Sequence, residues 1–168
     1  DAVILSDYGK GGLTHIGEMI RLARDAGKHV LVDPKGDDFS KYAGATVVTP
    51  NRAELRAVVG RWQDPEELAR KAEALRAGLG LDGLLVTRSE EGMSLFHAGG
   101  ALHEQAVARE VFDVSGAGDT VIATLAVMLA GGAGWEEAVH VANVAAGLVV
   151  GRFGTAVVGR DELAAALN

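Results

Sequence analysis

The sequence predicts an α/β protein with a largely parallel β-sheet that is covered by helices on both faces. Short apolar runs, such as AVILS at 2–6 and the run within DGLLVTR at 82–88, have the length and composition of buried parallel strands. They alternate with longer segments whose apolar residues recur at helical spacing, a pattern typical of a parallel sheet. The chain has 168 residues, 48% of them hydrophobic, which is enough to bury one core. We therefore expect a single domain over residues 1–168.

Each predicted element has its own signal in the sequence. Strands are predicted at 2–6, 28–34, 45–51 and 82–88, and SEEGMSLF and ALHEQAVA (101–108) each contribute one more. A first helix is predicted within 11–27, with Leu13, Ile16, Ile20 and Ala23 on its apolar face and Gly27 as its stop. Further helices are predicted at 51–60, 65–78, 116–130, 135–150 and 161–167, and Asp64 before Pro65 is the expected N-cap of the third.

Composition and charge exclude several functions. The net charge of −7 and the absence of a basic stripe argue against nucleic acid as a partner. The chain has no cysteine, which excludes disulfides and thiolate metal sites and fits a cytoplasmic location, and its 5 histidines lack zinc-ligand spacing. The longest apolar run, 121–134, is shorter than the roughly 20 residues a bilayer requires, and no signal peptide is recognisable, so no membrane association is expected. The chain starts inside a predicted strand without Met, which suggests a fragment.

Polar residues follow the predicted strands, where the sheet should present its carboxyl edge. In parallel α/β sheets this edge is where ligands bind. Acids, a lysine and glycines together suit a magnesium-bound polyphosphate, because Mg²⁺ takes carboxylate oxygens while phosphate takes amide N–H groups. The residues concerned are Asp7, Asp33, Pro34, Lys35, Asn51, Arg52, Ala53, Glu54, Thr87, Arg88, Ser89, Glu90 and the segment 113–119.

The segment DVSGAGDT (113–120) runs directly into an apolar helix. Gly116, Ala117 and Gly118 can turn sharply and leave their N–H groups free at the helix start, which would form an anion site. Asp119, in the first helical turn, would stand beside a bound phosphoryl group and could take a proton from an attacking hydroxyl.

Simpler interpretations exist for each of these residues. Asp119 could merely complement the helix dipole, and Asn51 with Glu54 is also a plain capping box. Thr87 could simply end a strand, and Asn143, inside an apolar helix, could be satisfied by core backbone groups. Taken singly, none of these motifs decides the function.

Taken together, the segments resemble the ribokinase-like (PfkB) sugar kinases. DVSGAGDT is similar to that family's D-T-x-G-A-G-D signature, TPNRAEL to its N-x-x-E segment, LLVTRSEEGMSLF to its strand–turn element beside the nucleotide, and VANVAAGLVVGRFGT to its adenine-side helix and loop. Within the family, VILSDYGKGGL, VLVDPKGDDFSKYAGATVVTPNRAEL and VFDVSGAGDTVIATLA are similar to the kinases of heptose 7-phosphate. The resemblance covers essentially the whole chain.

The resemblance implies phosphoryl transfer from Mg·ATP to the anomeric hydroxyl of a heptose 7-phosphate, on the path to ADP-heptose and lipopolysaccharide. Asp119 would be the general base, Gly116, Ala117 and Gly118 the anion hole, and Asn51 and Glu54 would organise Mg²⁺ through water. The remaining implied roles are Arg52, Ala53, Thr87, Arg88, Gly92 and Asn143 along the nucleotide, Asp113 and Ser115 at a possible K⁺ site, and Asp7, Lys10, Asp33 and Lys35 at the substrate.

The resemblance also implies a three-layer α/β/α fold from which the N-terminal half and its β lid are absent. We then expect an inactive fragment that tends to self-associate through an uncovered apolar edge, from a homo-oligomeric parent that could carry an adenylyltransferase domain. Two alternatives stay open: a kinase of the same family for another sugar or a nucleoside, and a non-catalytic nucleotide-binding module.

Overall fold

The computed structural model describes residues 1–107 and 113–168 and has a three-layer α/β/α architecture. The strands are β1 (Ala2–Ser6), β2 (His29–Asp33), β3 (Val47–Val48), β4 (Gly83–Thr87), β5 (Met93–His97) and β6 (Gly100–Glu104). The helices are α1 (Ile16–Asp25), α2 (Arg52–Val59), α3 (Pro65–Gly78), α4 (Ala117–Ala130), α5 (Trp135–Val150) and α6 (Arg160–Ala166). The predicted α/β class is confirmed, and Ala108, at the end of the sixth predicted strand, lies outside the described residues.

The six strands lie side by side in the order in which they occur in the chain. β1 to β4 pair in parallel, and β5 and β6 add as an antiparallel ribbon at the far edge. The in-register pairing of Ser6 with Asp33 brings the carboxyl ends of β1 and β2 to the same edge. That edge is therefore shared by the loops that follow the parallel strands.

Alternate residues of the central strands point into two separate cores. Val30, Val32 and Val86 belong to the cluster that packs against α1, α2 and α3. Leu31 and Leu85 belong to the second cluster, which packs against α4 and α5. Because side chains of a strand alternate between faces, a sheet covered on both sides must be apolar at every position, and this accounts for the continuous apolar runs.

Two element boundaries differ from those predicted. The third strand covers Val47–Val48 rather than 45–51, because Pro50 has no N–H to donate and Asn51 already caps α2. The first helix begins at Ile16, since Gly9 and Gly11 before it have positive φ angles of 67° and 82°, outside helical geometry. β1 forms the edge of the sheet, and its Ile4 is 42% exposed.

Within the described residues, no helix is long and apolar enough to cross a membrane.

Candidate active site

The carboxyl edge of the sheet brings several of the predicted acids together. Asp33 ends β2, Glu54 lies in the first turn of α2, and Asp119 lies in the first turn of α4. Burial raises the pKa of Asp33 above its ordinary value; a hydrogen bond from the Ser6 hydroxyl partly offsets this, and the nearby carboxylates of Glu54 and Asp119 raise the pKa further. Helices from opposite faces of the sheet thus place their first-turn acids within electrostatic range of one strand end.

The glycine loop before α4 has free amide groups, as the sequence indicates, with one exception. Gly116 is the N-cap in the left-handed conformation, with φ 80°, and α4 begins at the next residue. The N–H of Ala117 donates to the Val114 carbonyl at 3.2 Å, so it is engaged in the turn and is not free as expected. The N–H groups of Gly116, Gly118 and Asp119 have no acceptor among the described residues. These amides and the helix N-terminus form a site suited to an anion.

Asp113 joins the glycine loop to the loop after α5. Its Oδ1 accepts the N–H of Ser115 at 2.8 Å, and its Oδ2 accepts the N–H of Gly154 at 3.2 Å. These backbone hydrogen bonds, the one from Ser115 foremost, lower the pKa of Asp113. Both carboxylate oxygens of Asp113 therefore hold the glycine loop against the loop after α5.

Asn51 and Glu54 form a complete capping box at the start of α2. The Asn51 Oδ1 accepts the N–H groups of Ala53 at 2.9 Å and Glu54 at 3.0 Å, and Glu54 Oε2 accepts the N–H of Asn51 at 3.0 Å. The capping interpretation of this motif is thus confirmed. Glu54 Oε1 is still directed to the site, where it lies 3.5 Å from the Lys35 ammonium.

The acids of this edge do not form a complete metal site by themselves. No group of three His, Asp or Glu side chains in the described part of the chain is arranged to hold a metal ion. Mg²⁺ in phosphoryl-transfer sites is usually held by one or two carboxylates, waters and phosphate oxygens rather than by a protein cage. The hard oxygen donors of the Glu54 carboxylate fit that arrangement.

Arg52 and Arg88 both contact one carboxylate, that of Glu91. Arg52 forms an ion pair with it, and Arg88 reaches its side chain and its carbonyl, each at 3.2 Å. Glu91 lies in a single 3₁₀ turn, Ser89–Glu91, directly after β4. The turn is strained: Ser89 has φ 54°, the one positive value among the non-glycine residues described. The two arginines hold this turn next to α2.

A largely apolar pocket of about 510 Å³ opens between the Ser89–Glu91 turn, α4 and α5. Thr87, Gly92, Asn143, Ala117 and Gly118 line it, so five of the predicted site residues share one cavity. Its other walls include Ser89, Glu90 and Val114, which lie in segments that the sequence already places at this edge. The remaining walls, not singled out from the sequence, are Met93, Ala106, Val107, Val121, Ala146, Gly147 and Val150. The signal that could have found part of them is the 3–4 spacing of Asn143, Ala146, Gly147 and Val150, which places them on one face of α5.

Two of the predicted pocket residues, Asn143 and Gly92, are in close contact with the backbone at the end of β6. Asn143 is 3% exposed, and its Nδ2 donates to the Gln105 carbonyl at 2.7 Å, so its partner is a backbone group of an exposed residue after β6 and not a core group. A Cβ on Gly92 would lie 2.0 Å from the Glu104 carbonyl oxygen. Both residues therefore fix the chain after β6, which forms one wall of the pocket.

Of the residues predicted to contact the substrate, Asp7 belongs to a hydrogen-bonded cluster and Lys10 does not. The Asp7 carboxylate accepts hydrogen bonds from Lys41 at 2.8 Å, Tyr42 at 2.7 Å and the Gly9 N–H at 2.8 Å. Burial alone would raise the pKa of Asp7, but these hydrogen bonds outweigh it and lower the pKa to about 2. Lys10 is exposed and has no partner among the described residues, so it is not joined to this cluster. Lys41 and Tyr42 were not predicted.

Comparisons with known proteins identify the family to which this fold and this sheet edge belong. The pfkB family carbohydrate kinase model matches residues 12–161, and the chain belongs to this family. It is 57% identical over 164 residues to the D-beta-D-heptose 7-phosphate kinase of Bordetella bronchiseptica, covering 98% of this chain and 52% of that protein. It is also 57% identical to the Bifunctional protein HldE of Chromohalobacter salexigens, over 100% of this chain and 36% of that protein. The chain thus spans about half or less of the length of these relatives.

Solved structures share the fold. The Arabidopsis thaliana ribokinase complexed with ribose and ATP superposes with a TM-score of 0.87 at 26% identity, covering 99% of this chain and 55% of that one. The Escherichia coli phosphofructokinase-2 in complex with potassium superposes with a TM-score of 0.84 at 21% identity, over 98% of this chain and 54% of that one. The expected ribokinase-like architecture is thereby confirmed.

Proposed function

We propose that this chain is the ATP-binding half of a kinase that phosphorylates the anomeric hydroxyl of D-glycero-β-D-manno-heptose 7-phosphate, giving the 1,7-bisphosphate for ADP-heptose and lipopolysaccharide core synthesis. The observation that carries the proposal is the juxtaposition at α4. Asp119 stands in the first turn next to the free Gly118 N–H, with the apolar pocket on one side and the acids of the sheet edge on the other. The similarity to a heptose 7-phosphate kinase supplies the substrate class.

Asp119 acts in this proposal as the general base. The sugar hydroxyl approaches its carboxylate, which takes the proton as the oxygen attacks the terminal phosphorus of the nucleotide. The amides of Gly116 and Gly118 then face the phosphoryl oxygens as negative charge spreads over them. The apolar face of α4 behind them includes Val121 and Leu125, both buried, so the amides are held rigidly before the reaction starts.

The pocket between α4 and α5 would take the adenine and ribose. Its walls are mainly aliphatic, which suits a flat base, and it reaches Gly118 at the anion site, so a nucleotide could span both. Thr87 and Gly92 would lie along the nucleotide, and Asn143 would hold the wall in place through Gln105. Arg52 and Arg88 would face the polyphosphate chain from the Glu91 side.

Two cations fit the residues at the phosphate end. Glu54, assisted by Asn51, would hold Mg²⁺ through water, and bound Mg²⁺ would neutralise charge on the phosphates. Asp113 and Ser115 would lie at a K⁺ site, an assignment supported by the potassium complex of a protein with the same fold. Asp7, Lys10, Asp33 and Lys35 would meet the sugar phosphate.

We further propose that the complete kinase works in the cytoplasm, where its ATP is made, and that it is a homo-oligomer. Among the similar structures is a tetrameric form of phosphofructokinase-2. The HldE relatives are called bifunctional, and we propose that the complete protein also carries a second, adenylyltransferase domain.

The test is Asp119→Asn in the full-length kinase, with ATP and heptose 7-phosphate as substrates. Loss of the base should lower kcat by about 10³-fold, within the usual range for general base catalysis, while the Kd for Mg·ATP stays within about twofold. Asp161→Asn is the matched control, because Asp161 is also an exposed first-turn acid, on α6, and its loss should leave kcat unchanged. Full activity of Asp119→Asn would contradict the proposal and favour a non-catalytic nucleotide-binding role.

A further inference from the structure

We propose that the hydroxyl of Tyr42 is a positioning group for the acceptor side of the active site, an inference that rests on the proposed kinase function. Tyr42 does not touch substrate, because its side chain is fully buried, with 0% of the residue exposed. It acts through Asp7 and Lys35, which occupy the ends of two neighbouring strands. The role would be specific to the sugar phosphate and not to ATP.

The hydroxyl of Tyr42 makes two strong hydrogen bonds at once. It accepts the backbone N–H of Lys35 at 2.9 Å and donates to Asp7 Oδ2 at 2.7 Å. The Lys35 carbonyl lies farther away, at 3.2 Å. A phenol has one proton, and a carboxylate is the stronger acceptor, so the proton goes to Asp7. Burial raises the pKa of Tyr42, which keeps this donor protonated.

These bonds join the loops that follow β1 and β2, beyond the point where a backbone hydrogen bond from the Asp7 N–H to the Asp33 carbonyl ends the pairing of the two strands. Asp7 follows β1, and Lys35 follows β2 after the Asp33-Pro34 turn. Proline gives the turn no N–H of its own, so the Lys35 N–H is the first donor available to anchor it. Lys41, next in sequence to Tyr42, also bonds Asp7 at 2.8 Å, and its ammonium lies 5.0 Å from the centre of the Tyr42 ring.

The anchored loop carries a charge toward the reacting end of the site. The Lys35 ammonium lies 3.5 Å from Glu54 Oε1, and the carboxylates of Glu54 and Asp119 are close enough to raise the pKa of Asp33. A shift of the 33–35 loop would therefore move a cation and an acid at the edge where the sugar phosphate is expected. The nucleotide pocket is lined by other residues, so its affinity should not depend on this loop.

The experiment is steady-state kinetics of Tyr42→Phe in the full-length kinase, with ATP and heptose 7-phosphate varied separately. Phenylalanine keeps the ring, which packs 5.5 Å from that of Phe39, and removes one oxygen. We expect the KM for the sugar phosphate to rise about tenfold and the KM for ATP to stay within twofold, since a small misplacement of positioning groups weakens productive binding. Asp7, released from one donor, should also titrate at a higher pH in NMR spectra of the variant.

Phe39→Leu is the control for a purely structural effect. Phe39 is 1% exposed and adjoins Tyr42, so the substitution loosens the same core without removing the hydroxyl. We expect both KM values to be unchanged and only the folded fraction to fall. Unaltered kinetics in Tyr42→Phe, equal changes in the two KM values, or a sugar-phosphate effect that Phe39→Leu reproduces would overturn the inference. An unsubstituted kinase without activity on heptose 7-phosphate would instead contradict the proposed function, and this inference with it.

Discussion

Gly92 should tolerate no side chain, because two separate costs fall on it. Its φ of 82° with a ψ of −130° is a combination that L-residues rarely adopt, which costs a non-glycine residue roughly 1–2 kcal/mol. A Cβ would also lie 2.0 Å from the Glu104 carbonyl oxygen and 2.6 Å from the Ala106 nitrogen, both backbone atoms. Relieving that overlap means shifting the end of β6, which by analogy with overpacked cores costs about 1–3 kcal/mol. Gly92→Ala should therefore lower the free energy of unfolding by about 2–5 kcal/mol.

Urea unfolding of the 168-residue chain, followed by circular dichroism, measures this loss. Gly132→Ala is the matched control, since Gly132 has φ 86° and nothing within 4 Å of an added Cβ. Gly132→Ala should lower the free energy of unfolding only by the cost of the positive φ angle, about 1–2 kcal/mol. Because Gly92 and Ala106 both line the pocket proposed to hold the nucleotide, Gly92→Ala should also weaken Mg·ATP binding, whereas Gly132→Ala should not. Equal destabilisation of the two variants would refute the close contact between Gly92 and β6.

Two further predictions concern the caps and the acids. Asn51→Ala should lower the free energy of unfolding by about 1 kcal/mol and weaken Mg·ATP binding measured by calorimetry. Asp64→Ala, which removes the cap of α3, should cost a similar amount of stability and leave nucleotide binding unchanged. Equal Mg·ATP affinity of the two variants would contradict a role of Asn51 at the phosphates. The lowered pKa of Asp7 stabilises the fold above its ordinary value of 3.8, and this contribution is lost as the pH falls toward about 2. Asp7→Asn should therefore flatten the loss of stability over that range in acid unfolding, and an unchanged acid profile would contradict the hydrogen bonds assigned to Asp7.

Local chemistry explains which parts of the site could be predicted from the sequence. Asn51 with Glu54, and the glycines before Asp119, lie within a few residues of each other, so their backbone geometry follows from short-range rules that the sequence displays. The apolar runs likewise predicted a sheet covered on both faces, because doubly buried strands cannot alternate. What could be predicted was the set of elements and the edge at which the polar residues meet.

Long-range contacts account for what was missed. Tyr42 is 35 residues from Asp7, and the two meet where the pairing of β1 with β2 places the segments after these strands side by side. The pocket walls Val107 and Val114 are ordinary apolar residues whose role depends on where the loops fold. The engagement of the Ala117 N–H by Val114 depends on the tightness of one turn, which the glycine pattern does not specify.

The most direct test of the central claim is the product that the full-length kinase forms from Mg·ATP and D-glycero-β-D-manno-heptose 7-phosphate, identified by ³¹P NMR, with ribose and fructose 6-phosphate as competing acceptors. We expect a second phosphorus signal coupled to the anomeric proton, formed in preference to products of the other two acceptors and not detectable with Asp119→Asn after the same reaction time. Phosphorylation of another hydroxyl, preference for another acceptor, or a product that Asp119→Asn forms equally well would contradict it.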